Sequence, residues 1–230
     1  MRTPARASES APPAVGRREQ KRLSTRRELL LAARKWFSQE GLYDSRVEDI
    51  TEQAGIAKGT LYLYFRSKED LVKAVVSEGF AGLRTHIEAR LTGQSDLEHA
   101  ASAAFSAHVE FFAENPDLMR IFHQVRGVLQ FDRPRWRPLR TELRQHVDFL
   151  AHQLAVGDAR SWTLPRRRDL AVFLFGCASG STSVLVATYP ASARLRSWEA
   201  RWSKRIGRAV AEARALPPRG PGPKRDRTLR

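Results

Sequence analysis

The chain has 230 residues, 42% of them hydrophobic, enough for one or two domains with a real core. A net charge of +15 and a pI of about 11.0 point to an anionic partner: nucleic acid, a membrane surface or an acidic protein. Its single cysteine, Cys177, excludes an internal disulfide scaffold and fits a reducing cytosol.

Residues 1–23 are rich in Ala, Pro, Ser and Arg and show no periodicity, and Pro4, Pro12 and Pro13 prevent a continuous helix. They read as a disordered basic arm, either touching DNA phosphates or simply solvated. Met1 to Arg22 lacks the apolar run of a signal peptide. Thr25 to Gln39 is the first predicted helix. Thr25 and Glu28 have capping-box spacing, Leu29, Leu30, Ala33, Trp36 and Phe37 form one apolar face, and Gly41 supplies a left-handed stop. Ser45 to Gln53 is the second, with Ser45 and Glu48 again at capping-box spacing and Val47, Ile50 and Ala54 facing inward.

Gly55 then allows a turn at positive φ, Ile56 is an apolar plug inside it, and Lys58 to Phe65 is a short third helix. Two helices joined this way make a helix-turn-helix, whose second helix enters the major groove with its first residues on the base edges. Ser67 caps a fourth helix from Lys68 to about Leu91, long enough to connect two domains, with Glu69 and Asp70 at its positive end.

Helical patterns continue over Leu97 to Ala113, Asp117 to Val128, Pro138 to Leu154, Pro165 to Tyr189 and Ser192 to Leu216, with almost no strand pattern. Leu170 to Tyr189 raises a membrane question, but its polar and small middle, Gly176 to Ser183, argues against a span. Residues 217–230 form a second basic tail rich in Pro and Gly. The expectation is an all-α protein. Residues 24–70 form the helix-turn-helix domain, and residues 71–216 form a helical domain for dimerisation and ligand binding.

Residues 25–72 resemble the N-terminal domain of TetR-family transcriptional regulators. The match runs through Thr25, Ala32-Ala33, Phe37, Gly41, Val47, Asp49-Ile50, Ala54-Gly55-Ile56, Lys58-Gly59-Thr60-Leu61-Tyr62, Tyr64-Phe65 and Lys68-Glu69-Asp70-Leu71. Two positions depart from the family pattern: Thr51 replaces the usual alanine, and Ala57 replaces a serine whose hydroxyl would cap the recognition helix. The resemblance implies a cytoplasmic homodimer on a roughly palindromic operator. The eighth and ninth helices would build the dimer, and the C-terminal domain would hold a small hydrophobic or aromatic ligand.

For DNA, residue type and place nominate Lys58, Gly59, Thr60, Tyr62 and Leu63 for the groove, with Leu61 and Phe65 in the core. Tyr64, Lys68, Ser45 and Arg46 are nominated for phosphates. Gly176, Gly180 and Ser183 form a small-residue helix face suited to a dimer interface, and Trp198 and Trp202 are anchors either there or in the core. Ligand candidates are Phe105, His108, Phe112, Phe122, His123, Trp136, His146, Phe149 and Phe173, all of which could equally be core. The six histidines show no metal-ligand spacing and no Gly-rich phosphate loop follows a strand, so neither an enzyme, a metal nor a cofactor is expected. The leading expectation is a sequence-specific repressor released by a small ligand. The alternatives are a regulator governed by a protein partner, or a basic protein coating DNA without sequence preference.

Overall fold

A computed structural model describes residues 16–131, 133–188 and 192–214. Among them the elements are α1 (Arg17–Glu40), α2 (Val47–Gln53), α3 (Lys58–Tyr62), α4 (Lys68–Leu91), α5 (Leu97–Glu114), α6 (Pro116–Gln130), α7 (Arg137–Gln153), α8 (Leu164–Thr188) and α9 (Ser192–Arg214). Short 3-10 turns at Pro134–Trp136 and Gly157–Ser161 precede α7 and α8, and the described residues contain no strand. The fold is all-α: a helix-turn-helix domain, a long α4, and a helical C-terminal domain.

Three predicted boundaries move. The first helix begins at Arg17 rather than Thr25, because nothing between Gly16 and Gly41 breaks a helix and the Arg, Glu, Gln, Lys and Leu there favour one. Thr25 is therefore interior, and Ser24 Oγ donates to Glu28 Oε1 at 2.7 Å one turn on. Residues 17–23 of the expected arm are helical; residues 1–15 and the 217–230 tail lie outside the described residues. At Gly41 the φ is +88° as expected, but ψ is 162°, so the chain leaves α1 extended rather than in a left-handed helical cap.

The second helix starts at Val47, not Ser45. The Ser45 hydroxyl donates back to the Gly41 carbonyl, so it cannot also cap α2. The third ends at Tyr62 instead of Phe65: the Leu63 and Tyr64 amides donate three residues back, to Thr60 and Leu61, tightening the last turn. α4, in contrast, forms where expected, with the Ser67 hydroxyl accepting from the Asp70 amide at 3.2 Å.

Leu29, Ala33 and Phe37 of α1 close on Ile50, Leu61 and Phe65, and α4 adds Leu71 and Val72 to the same core. Further along, Phe80, Leu83 and Ile87 of α4 enter the C-terminal core, so one helix serves both domains. α6 ties them a second time. Arg34 of α1 pairs with Asp117 and donates to Asn115 at 3.0 Å. Gln124 accepts from the Leu42 amide at 2.7 Å and donates to the Phe37 carbonyl at 3.2 Å, gripping the end of α1.

α5 packs against α9, α8 and α4, and α7 against α8 and α4. The approach of α9 to α5 depends on Gly207, where a Cβ would lie 2.8 Å from the Glu98 carbonyl oxygen. Gly207→Ala should therefore lower stability by about 1–3 kcal/mol as α9 shifts off α5. A urea midpoint moving by less than the error of measurement would contradict that contact. α8 is long and apolar enough to cross a membrane by length and composition. In this fold one of its faces, including Ala171, Leu174, Phe175 and Ala178, is buried against the other helices.

Candidate DNA interface and C-terminal cavities

The turn before α3 forms as its residues require. Gly55 takes φ +64°, and Ile56 packs partly buried against the core while its amide donates to the Thr51 carbonyl at 3.0 Å. This fixes α3 with Lys58 and Gly59 exposed and Leu61 fully buried. Tyr62 is 47% exposed and Leu63 82%, so both present apolar surface to solvent at the end of α3. Thr60 is half-buried, and Tyr64 is half-buried with part of its ring packed against the core.

The charged groups differ more from expectation. Lys58 Nζ is not left free: it donates to Glu48 Oε1 at 2.5 Å, while Glu48 Oε2 lies 4.0 Å from Arg46 Nε. That hydrogen bond holds the Lys58 pKa above its ordinary value and the Glu48 pKa below its own. Lys68 Nζ donates to the carbonyls of Tyr43 (3.1 Å) and Ser45 (3.0 Å), stapling the loop before α2. Ser45, nominated for a phosphate, is 2% exposed and its hydroxyl donates to the Gly41 carbonyl. Arg46 is exposed at the start of α2, as that role needs. The sequence reading missed Glu48 as a partner of Lys58, having assigned it to a cap, and missed Tyr43, an exposed ring beside this surface. No local signal marks the Glu48–Lys58 pair, whose members meet only once α2 and α3 pack.

In the C-terminal domain the ligand candidates separate. Phe105, His108, Phe112, Phe122, Trp136 and His146 are buried, Phe149 is half-buried, and His123 and Phe173 are exposed. At the centre Phe80 stacks on Phe122 (centroids 4.5 Å) and on His146 (4.9 Å), Phe112 meets Phe122 edge-on at 5.8 Å, and Phe175 meets His146 edge-on at 4.9 Å. The space left among Phe80, Phe112, Phe122 and Phe175 is about 20 Å³. That is room for one water, so these rings form a packed interior rather than an open pocket. Arg126, Ser179 and Ser183 reach its edge, and Arg126 Nη1 donates to Ser179 Oγ at 3.2 Å.

Two histidines are sealed in this interior. His108 Nδ1–H donates to the Ala104 carbonyl at 2.6 Å, which leaves its Nε2 to accept from His146 Nε2–H at 3.1 Å. His146 Nδ1 then has no hydrogen-bond partner among the described residues. Burial pushes the His108 pKa down to about 4 and, with the neighbouring His108, pushes His146 well below the usual histidine range.

Larger spaces lie at the surface. A groove of about 740 Å³ between α8 and α9 is walled by Phe105, Phe173, Val184, Trp198 and Trp202, with Cys177 and Gly180 along α8. Phe173 is 50% exposed and Val184 65%. Gly180, Trp198 and Trp202 therefore share one apolar face with Phe173, which the sequence had placed among ligand residues. Trp198 also packs on Phe105 at 5.8 Å. Ser183 lines the small interior space instead, and Gly176 has open space at its Cα. Burial raises the Cys177 pKa. A second groove, about 720 Å³, runs between α6, α7 and α8, with Leu143, Val147 and Val172 below Arg140, Arg144 and Arg168. Asp148 accepts from Arg168 Nε there at 2.5 Å. Among the described residues no group of three or more His, Cys, Asp or Glu could hold a metal ion.

The family model for bacterial regulatory proteins of the tetR family matches residues 29–75, the segment holding α2, α3 and the start of α4. Residues 29–75 thus match the DNA-binding domain of the TetR family. It is 30% identical over 105 residues to the HTH-type transcriptional regulator YdgC of Bacillus subtilis, covering 44% of this chain and 54% of that protein. It is 28% identical over 91 residues to the fatty acid metabolism regulator protein of the same organism, covering 40% of this chain and 47% of the relative. The chain thus spans about half the length of the curated relatives it matches. Among solved structures, FadR from Bacillus subtilis in complex with stearoyl-CoA superposes over 80% of this chain and 96% of its own, with a TM-score of 0.65 at 19% identity. FadR from Bacillus halodurans superposes over 81% and 94%, with a TM-score of 0.66 at 18% identity. These last two likenesses establish the fold.

The two departures from the family pattern have different consequences. Thr51 is 4% exposed and its hydroxyl donates to the Glu48 carbonyl at 2.9 Å, so the extra polar group is satisfied inside α2. Ala57 offers no side-chain acceptor to the first turn of α3.

Proposed function

We propose that this chain is a dimeric, sequence-specific transcriptional repressor that reads DNA with α3 and leaves its operator when a small molecule binds the C-terminal domain. One observation carries the reading: a rigidly seated α3 presents Lys58 and Gly59, with Tyr62 and Leu63 exposed beyond them. Tyr62 and Leu63 suit sugar and thymine-methyl contacts, and Gly59 lets backbone approach the duplex. The apolar face of Phe173, Gly180, Val184 and Trp202 is the surface a second copy would cover, and Gly176 leaves room for its helix. Such a protein acts in the cytoplasm, where its DNA is.

For the ligand, the packed interior favours entry from the α7–α8 groove. Arginines above an apolar floor suit an amphiphile with an anionic head, the chemistry of the stearoyl-CoA bound by the solved relative. A ligand shifts the DNA equilibrium only if it prefers one conformation. Here α6 is the link: Phe122 lines the interior while Gln124 holds the end of α1, so a displaced α6 moves α1 and the spacing between two recognition helices. A partner protein on the same grooves would use the same link.

Lys58→Ala tests the placement of α3. It should weaken binding to the preferred site on the order of tenfold and relax base preference at one position per half-site, with little change on unrelated DNA. The measurement is fluorescence anisotropy on matched and altered duplexes over a salt series. Unchanged affinity and preference would mean that α3 does not read the groove.

A further inference from the structure

Glu48 places a carboxylate on the surface that faces DNA, across the seam between the starts of α2 and α3. Its two oxygens meet Lys58 Nζ at 2.5 Å and Arg46 Nε at 4.0 Å. The Lys58 side chain is 52% exposed and that of Glu48 44%, so the pair is open to DNA and burial does not lock it. A carboxylate beside phosphates is repelled, so on affinity alone this position would favour any neutral residue.

Its effect on Lys58 is different. A lysine ammonium has three N–H donors on a flexible stem. Left free at the edge of a groove, it takes the nearest phosphate, a contact that carries no sequence information. With one donor on Glu48, the ammonium is kept over the first turn of α3 and has two donors left. Guanine offers O6 and N7 side by side to two donors; thymine offers only O4, and adenine sets an amino group beside its N7.

We propose that Glu48 is a specificity-determining positioning residue: by holding Lys58 back from the phosphates, it makes the protein read guanine at one position in each half-site. The pair gives up general affinity for discrimination, as selective binders do when they oppose the wrong partner as well as favour the right one. This rests on the reading of α3 as the groove-facing helix.

The test selects bound sites from a random DNA pool with the full chain, its Glu48→Gln variant, Lys58→Ala, and the double variant. Glutamine keeps the shape and removes the charge, and a thermal melt confirms that each variant folds. The wild type should enrich guanine at one position per half-site. Glu48→Gln should bind all DNA more tightly, with a salt slope steeper by about one, while guanine enrichment there falls on the order of tenfold. In the Lys58→Ala background, Glu48→Gln should leave base preference untouched. Tighter binding with guanine enrichment intact would overturn the proposal, because the carboxylate would then be a repulsive charge only. An equal loss of preference in the Lys58→Ala background would overturn it too, since Glu48 would not act through Lys58. A wild type without any consensus site would remove it together with the proposed function; a wild type with a consensus that Glu48→Gln leaves unchanged would remove this inference alone.

Discussion

Phe122→Ala should lower the free energy of unfolding by about 3–5 kcal/mol, a large share of the roughly 5–15 kcal/mol a domain possesses. The ring is 4% exposed, stacks on Phe80 at 4.5 Å and receives Phe112 edge-on at 5.8 Å. It also lies against the backbone of α4: a Cβ at Gly79 would come within 3.0 Å of it. Few neighbours can move into the space it leaves, because Phe80 and Phe112 are held by their own partners, so the cavity persists and adds its cost to the lost burial. Urea unfolding of the variant measures this. A loss below about 1 kcal/mol would mean that the site collapses easily, as the wall of a ligand pocket does and a packed core does not. The same result therefore decides between the two readings that the sequence left open for this residue.

Acid should destabilise the protein in a window set by the buried histidines. His108 is held neutral by burial, with a pKa of about 4 against 6.5 for a free histidine. As pH falls the unfolded chain takes up this proton first, so the stability is fully present above about pH 6.5 and is lost as pH falls through about 4. The loss from His108 alone is on the order of 3 kcal/mol. His146 shifts in the same direction and adds to it, and His86 and Arg84 act against protonation of the pair from outside. Asp117, Asp148 and Asp96 also have lowered pKa values, but starting from 3.8 their effect lies below the histidine window. Urea midpoints measured between pH 7.5 and 4.5 should fall steadily below 6.5. A flat profile would mean that the histidines are solvated in the folded state.

What the sequence makes legible here is local. Ser67 followed by Glu69, Asp70 and the stripe of Leu71, Val75 and Phe80 marks α4, and the helix forms with those bounds. Thr25-Glu28 and Ser45-Glu48 carry the same kind of signal, yet neither forms a capping box. The spacing of a capping box permits the cap without requiring it. Upstream helix formers absorb Thr25, and the Gly41 carbonyl takes the Ser45 hydroxyl. Lys58, Tyr62 and Leu63 are readable from residue type once the turn at Gly55 is recognised. The roles of Glu48 and Lys68 are not, because their partners are 10 and 23–25 residues away in sequence and meet them only after the helices pack.

Glycines show the same limit. Gly176 and Gly180 look like a packing face, and their Cα atoms meet open space in the single chain. Gly207, inside a charged segment without any motif, is the described glycine at which an added Cβ would come nearest another helix. Phe173 and Phe175 are two apart on α8 and point to different surroundings, one to the α8–α9 groove and one to the central aromatic stack. Helical period alone could not assign them before the neighbouring helices were known.

If α3, presented twice by a symmetric dimer, recognises a defined DNA sequence, the purified full chain should select that sequence from a random pool of duplexes. The expected product is an inverted repeat, with half-site centres ~34–36 Å apart or a multiple of that. Enrichment without any consensus, with affinity set by salt alone, would contradict it.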